Sequence, residues 1–256
     1  MHSSEEILRA AAEWAWFPRG SESESAELLL VRYPRRFGGG VRGSQVHSSL
    51  SAAEVVDRAI ARTALWEEDV LTFWTNPSDG PDLEDELRRR GAEHIDTVAV
   101  FAAPIDSTTI HPPADTTVEV VTTLPQIREV DAINVAVWEQ LPLDESGLSE
   151  ELDEVAGSLV AKSHGRVLAR IEGRAVSTGG VTLADGFARL WGAATFQGQR
   201  GRGAYRAVLA ERLRLAQSWG AETALVKGRI STSAPILRRS GFAHYGDERA
   251  YRLVVR

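Results

Sequence analysis

The sequence predicts an α/β fold in which a mixed sheet is flanked by helices, built as two domains in tandem. Three observations predict it. Short apolar runs of strand length alternate with longer amphipathic stretches along the whole chain. In the second half, three such runs follow one another through tight glycine-containing turns, which favours antiparallel hairpins. Between the halves lies a stretch with Pro112-Pro113 and little apolar content.

In the first half, residues 27–33 (ELLLVRY) read as a strand. Residues 51–65 read as a helix, because Ser51 and Glu54 have the spacing of a capping box. Residues 70–74 read as a strand. Residues 81–90 (PDLEDELRRR) read as a helix with acids first, bases last and Gly91 as its stop, the order that suits a helix dipole. Residues 95–105 read as a further strand. The division is then 1–105, a linker at 106–116, and 117–256.

In the second half, 118–121 read as a strand, and 124–139 and 149–163 as helices. Strands follow at 166–171 and 175–183, around Glu172-Gly173-Arg174, and at 187–196, after Ala184-Asp185-Gly186. A long helix at 203–219, a strand at 223–227, a helix at 233–240 and a strand at 250–255 complete the chain. Both halves close on helix, glycine, strand, a faint internal likeness without a fixed period.

Composition narrows the function. The chain has 256 residues, 43% hydrophobic and 25% charged, enough to bury a sizeable core. A net charge of −7 argues against a general nucleic-acid binder, which needs a basic excess. With no cysteine, disulfides, thiol nucleophiles and Cys zinc sites are excluded. The six histidines are scattered without ligand spacing, so no metal is expected. The first residues carry charges inside their apolar stretch and do not read as a signal peptide, and no run reaches membrane-helix length. A cytoplasmic protein, monomer or homodimer, without membrane or nucleic-acid partners, is expected.

The strongest local signal is 196–207, F-Q-G-Q-R-G-R-G-A-Y-R-A. A strand runs into Arg200-Gly201-Arg202-Gly203 and a helix starts at once. Glycines permit positive φ and close backbone approach. A first helical turn offers unbonded N–H donors and partial positive charge. With Arg200 and Arg202 beside them, these groups form a cradle suited to a pyrophosphate. Ala204, Ala207, Val208, Leu215 and Trp219 give the helix an apolar stripe. The motif lacks Gly-Lys-Ser/Thr and the spacing of a dinucleotide fingerprint.

In this order of elements, Arg200-Gly201-Arg202-Gly203-Ala204-Tyr205 resembles the acetyl-CoA motif of the GNAT N-acetyltransferases, Q/R-x-x-G-x-G/A, with Tyr205 where glycine or alanine is usual. The segment STSAPILRRSGF resembles that family's second cofactor segment. The resemblance covers about 117–256, and the first half is similar, more weakly, to the degenerate companion domain of tandem GNAT proteins. It implies acetyl-CoA as co-substrate, with Ala194, Thr195 and Phe196 pairing their backbone with the pantetheine amides. It implies Arg200, Gly201, Arg202, Gly203, Ala204 and Tyr205 around the pyrophosphate. Thr232 or Ser233 would stand in for a cofactor-contacting asparagine, and Leu237 falls where a tyrosine acid is usual. The usual glutamate base falls on Arg189 or Trp191. Substitute catalytic groups are Glu139, Ser233 and Tyr205, each with a plain structural alternative as helix end, cap or packing residue. The implied activity is direct acetyl transfer to a small-molecule amine in a ternary complex; acyl-CoA binding without turnover, or acetylation of a protein, are the alternatives.

Two further features read as structural. The basic, glycine-rich YPRRFGGG at 33–40 reads as a loop. Trp14, Trp16, Trp66, Trp74 and Trp138 read as core.

Overall fold

A computed structural model describes residues 2–255. In chain order its elements begin with α1 (Ser4–Ala12), β1 (Glu22–Ser25), β2 (Leu29–Arg32) and β3 (Val41–Ser44). Then come α2 (Ala52–Leu65), β4 (Val70–Thr75), α3 (Pro81–Arg89) and β5 (Glu93–Pro104). They continue with β6 (Thr116–Val120), α4 (Leu124–Trp138), α5 (Glu145–Val160), β7 (His164–Ile171) and β8 (Arg174–Ala184). The last are β9 (Phe187–Thr195), α6 (Ala204–Ser218), β10 (Thr223–Arg229), α7 (Ala234–Arg239) and β11 (Ala243–Val254). The architecture is mixed α/β, as the alternation predicts.

Contacts gather these elements into two compact units, neither contiguous in sequence. The first holds Ser4–Val100, Gly228–Thr232 and 245–255; the second holds Phe101–Lys227, Ser233–His244 and residues 2–3. The stretch 106–116 lies within the second.

In the first unit, β1, β2 and β3 are antiparallel neighbours, β3 runs parallel to β4, and β4 is antiparallel to β11. Its core joins Leu30, Val41, Val56, Leu71, Phe73, Leu87, Tyr251 and Leu253. The Ser51–Glu54 capping box forms: Ser51 Oγ accepts from the Glu54 N–H at 3.3 Å, and Glu54 accepts from the Ser51 N–H at 2.9 Å. Of the five tryptophans read as core, Trp66 is buried, whereas Trp16 and Trp138 are exposed. The Trp16 ring instead packs edge-on against Phe37, and its carbonyl accepts from the Tyr33 hydroxyl at 2.6 Å. YPRRFGGG forms a short 3-10 turn, with Gly38, Gly39 and Gly40 all at positive φ.

Two carboxyls of this unit give it opposing pH responses. Burial raises the Glu84 carboxyl, but hydrogen bonds from Tyr251, Arg249 and Thr75 outweigh that and hold it at about 2. A carboxyl depressed on folding adds stability above its unfolded value, and that stability fades as pH falls from 4.5 toward 2. Asp79 behaves in the opposite way. Burial pushes it to about 6 against hydrogen bonds from Asn76, with the Glu248 charge adding to the rise. Its ionisation therefore subtracts stability as pH rises from 3.8 through 6. Asp79→Asn is expected to stabilise the fold at pH 8, by an amount on the order of 1 kcal/mol after solvent screening, and to change its stability little at pH 3.5. Thermal melts at the two pH values check this. Equal shifts at both would remove the titration of Asp79 as the cause.

In the second unit the strands stand in the order β6-β7-β8-β9-β10. The first three pairings are antiparallel and the last, β9 with β10, is parallel. Both hairpin turns are as the sequence predicts: Glu172-Gly173 and Asp185-Gly186 all take positive φ, the geometry of a two-residue turn. Helices α4 and α5 share a core with the sheet through Ile127, Val130, Ile133, Leu148, Val155 and Leu168. Helix α6 buries Ala204, Ala207, Val208, Leu209, Leu213 and Ala216.

Some bounds differ from the sequence expectation for physical reasons. Helix α5 starts at Glu145, because the Asp144 side chain caps it by accepting from the Gly147 N–H at 2.8 Å. Strand β11 starts at Ala243, through residues too polar to alternate. Strand β1 is ESES, exposed throughout and held by pairing to β2. No helix among the described residues is long and apolar enough to cross a membrane.

Candidate functional site

The site is built where β9 leaves its neighbour. Pairing between β9 and β10 runs from Phe187 with Thr223 to Leu190 with Val226. Strand β9 continues to Thr195 and β10 to Arg229. Beyond Leu190, then, β9 has a backbone edge that β10 does not use. Such an edge offers N–H and C=O groups to an extended ligand. On the other side β9 keeps its pairing to β8 but bulges. Gly180 faces Trp191 and Thr178 faces Ala194, so Gly192 and Ala193 together oppose Gly179. Gly192 takes φ +59, and nothing lies within 4 Å of where its Cβ would stand.

From Thr195 the chain makes a 3-10 turn at Gln197–Gln199 and enters the Arg-Gly-Arg-Gly segment. Gly201 and Gly203 take φ +79 and +88. A Cβ on Gly203 would also stand 2.4 Å from Pro113 Cγ, so this position excludes any side chain. Gly203 is the N-cap of α6, and no side chain caps the helix. The first backbone bond that closes there is Ala207 N–H to Gly203 C=O at 3.2 Å. The helix has no acid in its first turn. Its N-terminal donors and partial positive charge are thus left for an anion.

The cations around this turn divide in two. Arg202 donates to Gln199 at 2.8 Å and pairs with Glu172 at 3.3 Å. Arg200 and Arg206, both exposed, have no carboxylate partner among the described residues; Arg200 Nε donates only to the Thr195 carbonyl, at 3.4 Å. Sequence reasoning missed Arg206, which directly follows the motif. The first unit offers a contrast. Helix α2 also follows a strand, β3, but Ser51 and Glu54 satisfy its N-terminal donors from within.

The residues singled out in the sequence fall as follows. Ala194 through Phe196 and Arg200 through Tyr205 form one continuous path from strand to helix. Ala194 is buried, and Thr195 and Phe196 are half-buried. Tyr205 is half-buried, its ring centre 5.9 Å from Arg212 Cζ, and burial raises its phenol above the ordinary value. Thr232, exposed, donates its N–H to the Arg229 carbonyl at 3.2 Å. Ser233 precedes α7, and its side chain makes no cap bond. Leu237 is fully buried. Glu139 ends α4 in a left-handed conformation, exposed.

The two positions where a glutamate base is usual are engaged otherwise. Arg189 bonds Asp185 at 2.5 Å. The Trp191 indole donates to Thr182 Oγ1 at 2.9 Å, with His164 at 4.9 Å between ring centres and the Arg166 guanidinium at 4.9 Å. Burial, and second to it the Arg166 charge, lowers the His164 imidazole below its ordinary value. Among the described residues no group of three His, Asp or Glu is placed to hold a metal ion.

No protein-family model matches the sequence, and no curated protein matches it. Solved structures do match. A GCN5-related N-acetyltransferase from Kribbella flavida aligns over 91% of this chain and 90% of its own, at 19% identity and TM-score 0.63. One from Sphaerobacter thermophilus aligns over 99% and 86%, at 18% identity and TM-score 0.66. A tandem GNAT protein from the clavulanic acid biosynthesis pathway aligns over 97% and 88%, at 13% identity and TM-score 0.64. At such identities the likeness reaches the fold. The chain has the tandem GNAT fold, that of the GCN5-related N-acetyltransferases.

Proposed function

We propose that the second unit binds acetyl-CoA and transfers its acetyl group to the amine of a small molecule, directly, in a ternary complex. The carrying observation is the uncapped N-terminus of α6 behind Arg200-Gly201-Arg202-Gly203, placed where β9 parts from β10. A pyrophosphate fits there: two glycines at positive φ expose the backbone, the helix supplies donors, and Arg200 and Arg206 supply charge without competing acids. The edge of β9 beyond Leu190, running through Ala194 to Thr195, fits a chain carrying two amides, whereas the Phe196 N–H is already given to the Val176 carbonyl at 3.1 Å. Tyr205 replaces a small residue, but its half-buried ring turns toward Arg212. Acetyl-CoA held in this way supplies an activated acyl group to an amine. The protein's part is to orient both and keep water away.

Titration calorimetry with acetyl-CoA, and separately with CoA, tests the reading. Micromolar binding, about −8 kcal/mol, is expected for both. No heat with either would leave the Arg-Gly-Arg-Gly turn as a structural loop.

A second reading, acyl-CoA binding without turnover, is favoured by the engagement of Arg189 with Asp185 and of Trp191 with Thr182, and by the burial of Leu237. Release of CoA thiol in the presence of a panel of small amines, lost in Arg200→Glu, would decide for the enzyme. Monomer or homodimer, and a cytoplasmic setting, complete the proposal.

A further inference from the structure

Arg212 heads the largest side chains that are fully buried. With Ala204 and Val208 it lies on one stripe of α6, spaced by four residues, on the face turned to the sheet. Its guanidinium rests where a strand lacks a side chain: a Cβ on Gly179 would stand 3.2 Å from Arg212 Cζ. Nη1 donates to the Gly180 and Trp191 carbonyls, each at 3.4 Å. Nε and Nη2 have no hydrogen-bond partner, and no carboxylate pairs with the group among the described residues.

A guanidinium taken out of water with two carbonyls, the Tyr205 phenol and no carboxylate is unfavourable for folding. Its location suggests what it gives in return. Trp191 is the last residue before the bulge, and Gly179 is the residue opposite Gly192 and Ala193. The carbonyl of Trp191 and the N–H of Gly192 belong to one peptide group. A cation on the carbonyl polarises that group and makes the N–H a stronger donor. Gly192 is exposed, with open space where a side chain would be.

We propose that Arg212 is a positioning residue for acetyl transfer: it pins the β9 bulge through the Trp191 and Gly180 carbonyls, and its buried charge, paired with no carboxylate among the described residues, strengthens the Gly192 N–H as a donor to the acyl carbonyl. The inference rests on acetyl-CoA lying along β9. Charge placed beforehand in a dry site acts on a developing negative oxygen without reorganisation.

Arg212→Met, Arg212→Lys and Arg212→Gln test it with three readouts: Tm, calorimetric affinity for acetyl-CoA, and release of CoA thiol with hydroxylamine as a generic small nucleophile. In that reaction the hydroxylamine nitrogen bonds to the acyl carbon, the C–S bond breaks, and the nitrogen's proton goes to solvent as the thiolate leaves. Arg212→Met is expected to keep or raise Tm, since no ion pair is lost. It should hold affinity within about threefold and slow thiol release about tenfold or more. Arg212→Lys should retain most of the rate and Arg212→Gln should not, which keeps the comparison available if the Met variant fails to fold. Equal rates for Lys and Gln, or a wild-type rate in Arg212→Met, would overturn the proposal. So would a wild-type protein that binds acetyl-CoA without speeding thiol release, which leaves the cofactor reading standing. Absence of acetyl-CoA binding by the wild type overturns both.

Discussion

Arg200→Glu is expected to abolish measurable acetyl-CoA binding, weakening it by about 100-fold or more, while leaving Tm within about 1 °C of wild type. Arg200 is exposed, and water can replace its one hydrogen bond, to the Thr195 carbonyl at 3.4 Å, so the fold loses little without it. A charge-assisted bond to a phosphate contributes about 1.5–3 kcal/mol. Reversal adds repulsion against an anion that the α6 N-terminus is otherwise arranged to attract. Together these exceed about 2.7 kcal/mol, which is the 100-fold. Arg202→Glu should weaken binding less, because Arg202 already spends its charge on Glu172. Calorimetry on the two variants orders them. An Arg202 effect larger than that of Arg200 would place the phosphates elsewhere on the turn. Gly203→Asp answers a different question: at φ +88, with Pro113 Cγ 2.4 Å from its Cβ, any side chain there disturbs the fold before it disturbs a ligand.

The legible parts of this protein are those whose chemistry is local. The Ser51–Glu54 box, the Glu172-Gly173 and Asp185-Gly186 turns and the glycines before α6 each need particular residues at short spacing, and each forms. What depends on distant partners is not legible. Strand β1 carries only Ser and Glu, and exists because β2 pairs with it. The boundaries of the two units follow contacts between segments far apart in the chain. Arg212 is an intermediate case. The apolar stripe read from α6 passes from Val208 to Leu215, and Arg212, four residues after Val208, fills the gap on the same face. An arginine in an apolar stripe is the signal that would have found it. Gly192, lone inside the apolar run of β9, is the matching signal for the bulge.

Gly180→Ala is expected to be among the most destabilising single-methyl additions in the second unit, by about 3 kcal/mol. The backbone at Gly180 does not require glycine, since its φ is not positive. The demand comes from Trp191, which stands opposite it. An alanine Cβ would lie 2.2 Å from Trp191 Cζ2 and 2.4 Å from both Cε2 and Cη2. The indole has little room to yield. Thr182 holds its N–H at 2.9 Å, and the His164 ring and Arg166 guanidinium pack on it at 4.9 Å each. For a chain of this size the expected loss lowers Tm by about 6–12 °C. The cause is separable by a double-mutant cycle. In a Trp191→Ala background the added methyl meets no ring, so the Gly180→Ala penalty should fall below about 1 kcal/mol, leaving a coupling of about 2 kcal/mol. An undiminished penalty in that background would mean that the methyl disturbs the backbone itself. The same cycle bears on function: Trp191 precedes the bulge, and Arg212 bonds its carbonyl, not its ring. If the bulge is held through that carbonyl, Trp191→Ala alone should leave acetyl-CoA affinity within about threefold even as stability changes.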